Sequence, residues 1–309
     1  MTERASTHIP VMRDEVLAGL AVRADGRYFD GTFGRGGHAR AVLERLDEGG
    51  RLLLMDRDAD AIAEALRAFA HDSRVSIRYG NFADAGEWNE VRDLDGALLD
   101  LGVSSPQLDD PERGFSFLHD APLDMRMDRT ADKSAADFLN SAEEREIADV
   151  LWRYGEERQS RRIARAIVEQ RAQSPIRATH ELAELVERTL GRRERNKHPA
   201  TRTFQALRIH VNDELGSLQR GLRALTAALK PAGRLAVISF HSLEDRIVKN
   251  FIRGETPLRA RRGLPPLQTA QSPLRAIGRA QFPSEREIAA NPRARSAVLR
   301  IAEKISEDA

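Results

Sequence analysis

The 309-residue chain carries 49 basic and 48 acidic residues, so its formal net charge is only +1 and does not indicate a nucleic-acid-binding protein. It contains no cysteine, which excludes disulfides, cysteine-based zinc sites and cysteine nucleophiles. No apolar run approaches the roughly 18–20 residues of a membrane span, and residues 1–10 lack the apolar core of a signal peptide, so we expect a cytoplasmic protein.

Residues 28–46 predict a strand, a glycine-rich loop and a helix in succession. Tyr28 and Phe29 end the strand, Asp30 begins the loop, and residues 39–46 have helical character. The loop glycines are Gly31, Gly34, Gly36 and Gly37. This order is typical of the opening unit of a nucleotide-binding α/β domain. The spacing departs from the G-x-G-x-x-G fingerprint. The Asp30 carboxylate directly precedes the glycines of this loop. A carboxylate there would repel a phosphate but suit an ammonium or sulfonium group, which favours S-adenosylmethionine over NAD.

Three further predicted strands each end close to a side chain with binding potential. They span residues 51–55, 75–79 and 96–99, and a helix is predicted at 60–69. Alternating strands and helices predict a parallel sheet with right-handed crossovers, and such sheets bind ligands at the carboxyl ends of their strands. The residues that fall at those ends are Asp30, Asp56, Phe82 and Asp100.

Two of these residues suit an adenosyl ligand. A carboxylate at Asp56 can accept hydrogen bonds from both ribose hydroxyls, although NAD enzymes use the same device. Phe82 can cover the adenine face, with Asn81 or Asp84 at its edge. The structural alternatives are a helix-capping role for Asp56 and an ordinary loop around Phe82.

The segment from Asp100 to Gln107 follows the fourth strand, where transferred groups meet their acceptors in this architecture. Asp100, Ser104 and Ser105 can accept hydrogen bonds from a weakly nucleophilic amine, such as the exocyclic amine of cytosine, without a covalent step. A turn with serine caps is the alternative. Methylation at carbon 5 of a pyrimidine usually needs a cysteine nucleophile, so the sequence favours direct transfer to nitrogen or oxygen.

The middle of the chain predicts helices only. Between residues 106 and 198 we predict helices at 160–172 and 179–190, and a capping box at 141–144 that opens a further helix. The fold class is therefore α/β, a Rossmann-like sheet with an inserted helical subdomain. We assign residues 1–107 and 203–309 to the sheet domain and residues 108–202 to the insertion, with a substrate-recognition role.

The pattern of strands returns after the insertion. Apolar residues spaced three or four apart from Phe204 to Leu229 predict one long helix against the sheet. A strand is predicted at 234–240 and a last, edge strand at 296–301. His241 follows the first of these at the site end of the sheet, where it can shape the pocket.

Two locally basic stretches, residues 188–208 and 253–279, can engage a phosphate backbone, and the second is predicted to be a mobile loop. Solvated basic faces are the alternative for both. The eight histidines show no metal-ligand spacing, so no metal site is predicted.

Seven stretches resemble those of one family in the same order. They are residues 30–38 (DGTFGRGGH), 100–109 (DLGVSSPQLD), 113–117 (RGFSF), 122–127 (PLDMRM), 202–215 (RTFQALRIHVNDEL), 238–245 (ISFHSLED) and 291–296 (NPRARS). The family is the bacterial small-subunit ribosomal RNA cytosine-N(4) methyltransferases, also called the MraW methylases. The resemblance spans the chain from His8 to about residue 303.

The resemblance implies a class I methyltransferase fold and S-adenosylmethionine as the methyl donor. It implies a cytidine in the decoding region of small-subunit ribosomal RNA as the acceptor, in naked RNA or in the assembled subunit, and it leaves a homodimer open. It places the donor at Gly36, Gly37, His38, Asp56, Phe82, Asp100 and Gln107, to which the reading of the glycine loop adds Asp30 and Gly34. It does not settle the catalytic residues, so Asp100, Ser104 and Ser105 are a hypothesis.

Two other classes of function remain open from the sequence. An NAD-dependent oxidoreductase would share Asp56 and the glycine loop, and a non-enzymatic RNA-binding or assembly factor would use the basic stretches alone.

Overall fold

The computed structural model describes residues 10–191, 198–254 and 272–306, which form two compact units. One unit, here called the sheet unit, consists of the chain up to Gly102 together with the chain from Leu215 onward. The other, the helical unit, is continuous from Val103 to Glu214. The ends of the helical unit therefore differ from the predicted insertion boundaries at 108 and 202.

The described part of the sheet unit contains one seven-stranded sheet. Its strands are β1 (Arg27–Asp30), β2 (Arg51–Asp56), β3 (Val75–Tyr79), β4 (Leu94–Asp100), β5 (Leu229–Ser239), β6 (Leu274–Ala276) and β7 (Val298–Lys304). They lie in the order β3-β2-β1-β4-β5-β7-β6. Strands β1 to β5 run parallel, and β7 is antiparallel to both β5 and β6. This is the Rossmann-like α/β sheet that the alternating elements predicted.

Twelve α-helices lie within the described residues. They are α1 (Arg13–Leu20), α2 (Gly37–Leu43), α3 (Ala59–Phe69), α4 (Ser105–Asp109), α5 (Ala135–Ser141), α6 (Glu144–Gly155), α7 (Ser160–Gln173), α8 (Thr179–Leu190), α9 (Thr201–Val211), α10 (Glu214–Ala228), α11 (Ser242–Arg253) and α12 (Glu285–Ala290). Short 3₁₀ helices span Phe82–Glu87, Pro111–Arg113 and Pro292–Ser296. None of these helices is both long and apolar enough to cross a membrane.

The central strands are apolar on both faces because helices cover both. Leu52 and Leu54 of β2 pack with buried residues of α1, α2 and α3, whereas Leu53 and Met55 pack with those of α10 and α11. Successive side chains of a strand point to opposite faces, so each β2 residue serves one layer. Each fully buried leucine contributes roughly 1.5–3 kcal/mol through removal of apolar surface from water.

The predicted long helix is wrong, because the chain breaks between α9 and α10. Asp213 has a left-handed backbone, with φ of 44°. The buried Asn212 side chain accepts a hydrogen bond from Met127 N at 2.7 Å and donates to Met125 O at 2.7 Å. These bonds hold the end of α9 to the preceding loop of the helical unit. At the far end of α10, Leu229 lies in β5 rather than in the helix.

Two other local predictions are also corrected. The box at 141–144 does not open α6, because the Ser141 hydroxyl donates back to Asp137 O at 2.7 Å within α5. The capping box that forms is one helix earlier, where Ser134 and Asp137 bond each other's backbone N–H groups at 2.9 and 3.1 Å. The last strand, β7, is not at the edge, because the three-residue β6 lies outside it.

The two basic stretches lie partly outside the described residues, which omit 192–197 and 255–271. Within the described part of the first stretch, Arg208 forms a two-bond ion pair with Glu214, at 2.8 and 2.9 Å.

Candidate functional site

Three aspartates come together in sequence order at one edge of the sheet. Asp30, Asp56 and Asp100 are the last residues of β1, β2 and β4. These strands are neighbours in the order β2-β1-β4 and run parallel, so their carboxyl ends meet at the same edge. The predicted alignment of these side chains at the strand ends is therefore present in the fold.

Thr32 links the ends of β1 and β4. Its Oγ1 accepts a hydrogen bond from Asp100 N at 2.7 Å, and its own N–H group donates to Asp30 Oδ1 at 3.1 Å. The threonine fixes the start of the glycine loop against the neighbouring strand. Sequence reasoning did not select Thr32, because a single threonine in a loop carries no spacing signal, although its position two residues after Asp30 fits an Asx turn.

Asp56 holds the glycine loop to β2. Its Oδ2 accepts from Gly34 N at 2.8 Å, and its Oδ1 accepts from Asp58 N at 2.9 Å. Each carboxylate oxygen has a second lone pair, so these bonds leave acceptor capacity for a ligand. Asp56 thus fixes the loop and keeps the capacity that the predicted ribose contact requires.

The backbone conformation and close packing of the loop already require glycine at several of its positions. Gly34 and Gly36 have left-handed backbones, with φ of 52° and 70°. A Cβ atom added to Gly36 would lie 2.6 Å from the Phe33 ring. Gly37 begins α2, where a Cβ atom would contact Pro10 at 3.0 Å. Contact of Gly34, Gly36 and Gly37 with a ligand remains a prediction.

The two carboxyls nearest the glycine loop bind protons unusually tightly. Burial raises the pKa of Asp30 to about 6, against the lowering effects of His38 and of the Thr32 N–H group. Burial also raises the pKa of Asp56 to about 6, although two backbone N–H groups oppose that rise. Both groups titrate near neutral pH, and a cation bound beside them would favour their ionised forms.

His38 adds a second type of polar group beside these carboxyls. Its side chain is 6% exposed, and its Nε2 lies 3.6 Å from Asp100 Oδ2, too far for a hydrogen bond. Both ring nitrogens and Asp100 Oδ1 are buried and find no hydrogen-bond partner among the described residues. Leaving a buried polar group unsatisfied costs about 1–3 kcal/mol, so these atoms point to a polar ligand.

The residues that follow β3 make structural contacts that the sequence did not predict. Asn81 donates to Ser217 Oγ at 2.9 Å and accepts from Ala83 N at 3.0 Å, so it caps the 3₁₀ helix and contacts α10. The half-buried Phe82 ring packs closely on Gly221, where an added Cβ would lie 2.4 Å from it. Its contact with adenine remains a prediction.

Ser104, Ser105 and Gln107 belong to the helical unit. Ser104 precedes α4, Ser105 begins it, and the buried Gln107 accepts a hydrogen bond from Ser104 N at 2.9 Å through Oε1. Part of the capacity of Gln107 is therefore used in capping a five-residue helix. Its predicted role in donor binding, and the predicted roles of both serines, remain predictions.

His241 has a structural role in the sheet unit. It precedes α11, where the buried Glu244 accepts from Phe240 N at 2.8 Å and from His241 N at 3.2 Å. The Glu244 carboxylate thus caps the start of that helix. The Nε2 atom of His241 lies 3.3 Å from Glu244 Oε1 but is buried without a hydrogen-bond partner among the described residues.

Comparison with known proteins identifies the family to which these residues belong. A family model described as the MraW methylase family matches residues 5–305. The chain belongs to the MraW methylase family. Ribosomal RNA small subunit methyltransferase H of Xylella fastidiosa (strain M23) is 58% identical over 306 residues, covering 97% of each chain. The protein of the same name from Stenotrophomonas maltophilia (strain K279a) is 57% identical over 312 residues, covering 100% of this chain and 97% of the relative. Among solved structures, an rRNA methylase from Streptococcus thermophilus has a TM-score of 0.42 at 11% identity, over 94% of this chain and 95% of that one.

Membership in the MraW methylase family confirms three predictions made from the sequence. They are the family itself, a methyltransferase as the enzyme class, and S-adenosylmethionine as the cofactor. The predicted α/β fold with a Rossmann-like sheet is confirmed by the sheet itself. The NAD-dependent alternative and the non-enzymatic alternative are thereby excluded.

The residues at the strand ends fit this cofactor. S-adenosylmethionine carries a sulfonium and an ammonium group, which suit the carboxylates of Asp30, Asp56 and Asp100, and ribose hydroxyls, which suit Asp56. It also offers donors and acceptors for the unsatisfied atoms of His38 and Asp100. The three carboxylates explain why this glycine loop suits a cationic ligand rather than a pyrophosphate.

Proposed function

We propose that this methyltransferase transfers a methyl group from S-adenosylmethionine to the exocyclic N(4) amine of a cytidine in the decoding region of small-subunit ribosomal RNA. The observation that carries the proposal is Asp100 Oδ1, a buried acceptor at the end of β4 without a described partner. The names of the relatives from Xylella and Stenotrophomonas, both small-subunit ribosomal RNA methyltransferases, support the class of substrate.

The donor is held, in this proposal, by Asp30, Gly34, Gly36, Gly37, His38, Asp56, Phe82, Asp100 and Gln107. Asp56 accepts hydrogen bonds from the ribose hydroxyls with the lone pairs that Gly34 and Asp58 leave free. Asp30 and Asp100 supply negative charge for the cationic part of the donor. His38 has two unpaired ring nitrogens with which to orient it.

Asp100, Ser104 and Ser105 are the proposed catalytic residues. When bound, S-adenosylmethionine supplies an electrophilic methyl group on a positively charged sulfur. The cytosine amine is a weak nucleophile because its lone pair is delocalised into the ring. A carboxylate or hydroxyl oxygen that accepts from the amino hydrogens favours localisation of that lone pair on nitrogen as the new bond forms. As the nitrogen–carbon bond forms, the methyl–sulfur bond breaks and neutral S-adenosylhomocysteine leaves. One amino proton is lost afterwards, to the carboxylate or to water.

The helical unit is proposed to recognise the RNA. A base inside a stacked helix is inaccessible, so the target cytidine must be unstacked before its amine can react. Because ribosomal RNA is folded, the substrate is proposed to be the assembled small subunit or an assembly intermediate. A homodimer remains a prediction.

A transfer assay tests the proposal. Small ribosomal subunits that lack the modification are incubated with the protein and methyl-labelled donor, and the RNA nucleosides are analysed by mass spectrometry. Labelled N(4)-methylcytidine is expected. Label on another nucleoside, or on another atom of cytidine, would contradict the proposed acceptor.

Two variants test the catalytic roles. Asp100→Asn should lower kcat because the amide oxygen is a weaker acceptor than a carboxylate. Ser105→Ala should lower kcat with little change in donor affinity. Full turnover by Ser105→Ala would remove that serine from the proposed catalytic set.

A further inference from the structure

Four arginines lie in and just before the first turns of α7, and their side chains have no partner among the described residues. Arg158, Arg161, Arg162 and Arg165 are exposed, and none forms an ion pair or side-chain hydrogen bond with another residue that the structure describes. Residues 158–168 contain these four basic residues and no acidic one. We call the four side chains the arginine face.

The helix geometry gathers most of these charges on one side. At about 100° per residue, Arg161, Arg162 and Arg165 fall within an arc of about 100° on the α-helix. Ile163 and Ile167 of the same helix are fully buried and occupy the opposite side. The three arginines therefore point away from the core of the helical unit.

The position of these arginines on the helix is electrostatically unfavourable for the isolated protein. The first turn of α7 contains no acidic residue, although the positive end of the helix dipole favours acids there. The preceding Glu157 is buried, accepts a hydrogen bond from Gln159 N at 2.7 Å and lies 4.0 Å from Arg202. Its charge is therefore already engaged.

Two other arginines of the helical unit are paired with acidic side chains. Arg126 makes two hydrogen bonds to Asp124, at 2.7 and 2.9 Å, and Arg208 makes two to Glu214. In contrast to these paired arginines, the like charges of the arginine face lie close together on one side of a helix and repel one another. A polyanion bound there would turn that repulsion into attraction. Along the chain, the nearest acidic residues are Glu156 and Glu157 before the face and Glu169 after it.

We propose that the arginine face binds the phosphate backbone of the RNA substrate. The proposal rests on the proposed function, because it takes the acceptor to be RNA. Guanidinium groups pair well with phosphates, and contacts of this kind position an RNA without reading its sequence. The face therefore supplies affinity rather than the choice of nucleotide.

The test replaces three members of the face and leaves the helix intact. The triple variant Arg161→Gln, Arg162→Gln, Arg165→Gln is compared with the full-length wild-type protein for binding to unmodified small ribosomal subunits. Each phosphate contact contributes about 0.7 to the slope of log affinity against log salt on single-stranded RNA. Three lost contacts should reduce that slope by about 2 and lower the affinity about 100-fold at about 0.1 M salt.

A charge-matched control carries Arg45→Gln, Arg92→Gln and Arg286→Gln, three exposed positions in the sheet unit. It should bind the subunits with wild-type affinity and salt dependence. Donor affinity by calorimetry should be the same in all three proteins, which shows that the variants are folded.

The arginine face and the proposed function fail in different ways. If the triple variant binds subunits with the wild-type affinity and slope, or if the control loses as much affinity as the triple variant, the arginine face is not the contact. An absence of RNA binding by the wild-type protein would overturn it as well. If the wild-type protein produces no N(4)-methylcytidine, the proposed function fails, but the binding comparison still decides the role of the face.

Discussion

Replacing Asp30 with asparagine should stabilise the protein at neutral pH and weaken its hold on the donor. Asp30 is 3% exposed, and burial raises its pKa from 3.8 to about 6. The neutral side chain avoids the cost of burying a charge, and the asparagine oxygen can still accept from Thr32 N. The same substitution removes one of the carboxylates proposed to attract the cationic donor.

The sign and size of the effect follow from the raised pKa. At pH values well below 4 the Asp30 carboxyl is protonated in both the folded and the unfolded chain, so its ionisation does not affect stability. As the pH rises towards 6 the unfolded chain loses this proton first, and stability falls. Above pH of about 6 the loss levels off at about 3 kcal/mol. Asp30→Asn avoids this loss, but the new asparagine buries an amide N–H group without a partner, which lowers the stability of the variant by about 1–2 kcal/mol. Asp30→Asn should therefore be more stable than the wild type by about 1–2 kcal/mol at pH 7.5.

The assay is thermal and urea unfolding of both proteins from pH 4 to pH 8, together with calorimetric titration of S-adenosylmethionine. Between pH 4 and pH 6, the unfolding free energy of Asp30→Asn should rise relative to that of the wild type. Above pH 6 the difference between the two proteins should stay constant. Asp25→Asn, which removes an exposed carboxylate in front of β1, should show no such change. If Asp30→Asn were less stable than the wild type by the same amount at every pH, burial of the charge would not be the cause, and the reasoning would be refuted.

Three further outcomes are expected. S-adenosylmethionine should bind more weakly in calorimetry at pH 5 than at pH 7, because the Asp30 and Asp56 carboxyls, each with a pKa of about 6, become protonated. S-adenosylhomocysteine lacks the sulfonium charge, so its affinity should fall less over the same pH range. Equal losses of affinity for the two ligands would contradict this prediction. Asn212→Ala should lower the urea-unfolding free energy by about 2–4 kcal/mol, because three hydrogen bonds of its buried side chain are lost; a wild-type midpoint would show that these bonds do not hold the helical unit. Gly36→Ala should cost about 1–3 kcal/mol in thermal unfolding, because φ is 70° and the new Cβ would meet the Phe33 ring; an unchanged melting temperature would mean that the loop adjusts freely.

The parts of the fold that the sequence predicted well are those with strong local signals. The predicted helix at 179–190 matches α8, because its apolar spacing is regular and Gly191 ends it with φ of 60°. The strands that end at Asp56 and Asp100 were found because buried apolar runs stop abruptly at a carboxylate.

The errors arose where local patterns continue through a tertiary break. Apolar spacing runs on from α9 into α10, so nothing local marks Asn212 and Asp213 as a boundary. Their conformation depends on bonds to the distant Met125 and Met127. The three-residue β6 is too short to show a pattern of its own and forms only because β7 lies beside it.

The candidate site was predictable in its residue types but not in its contacts. The positions of the aspartates follow from strand ends and the parallel sheet. The Thr32 bond to Asp100, and the 3.6 Å separation of His38 from Asp100, depend on how the loop folds back across neighbouring strands. No spacing in the sequence encodes those distances.

Donor binding at the carboxyl ends of β1, β2 and β4 is the point on which the proposed activity depends. Calorimetric titration of S-adenosylmethionine into the wild type, Asp56→Ala and the surface control Asp25→Asn tests it most directly, with unfolding curves to show that each variant is folded. We expect wild-type affinity for Asp25→Asn and a loss of at least tenfold for Asp56→Ala, since a lost charge-assisted hydrogen bond costs about 1.5–3 kcal/mol. Wild-type affinity in folded Asp56→Ala would contradict the assignment of the donor site.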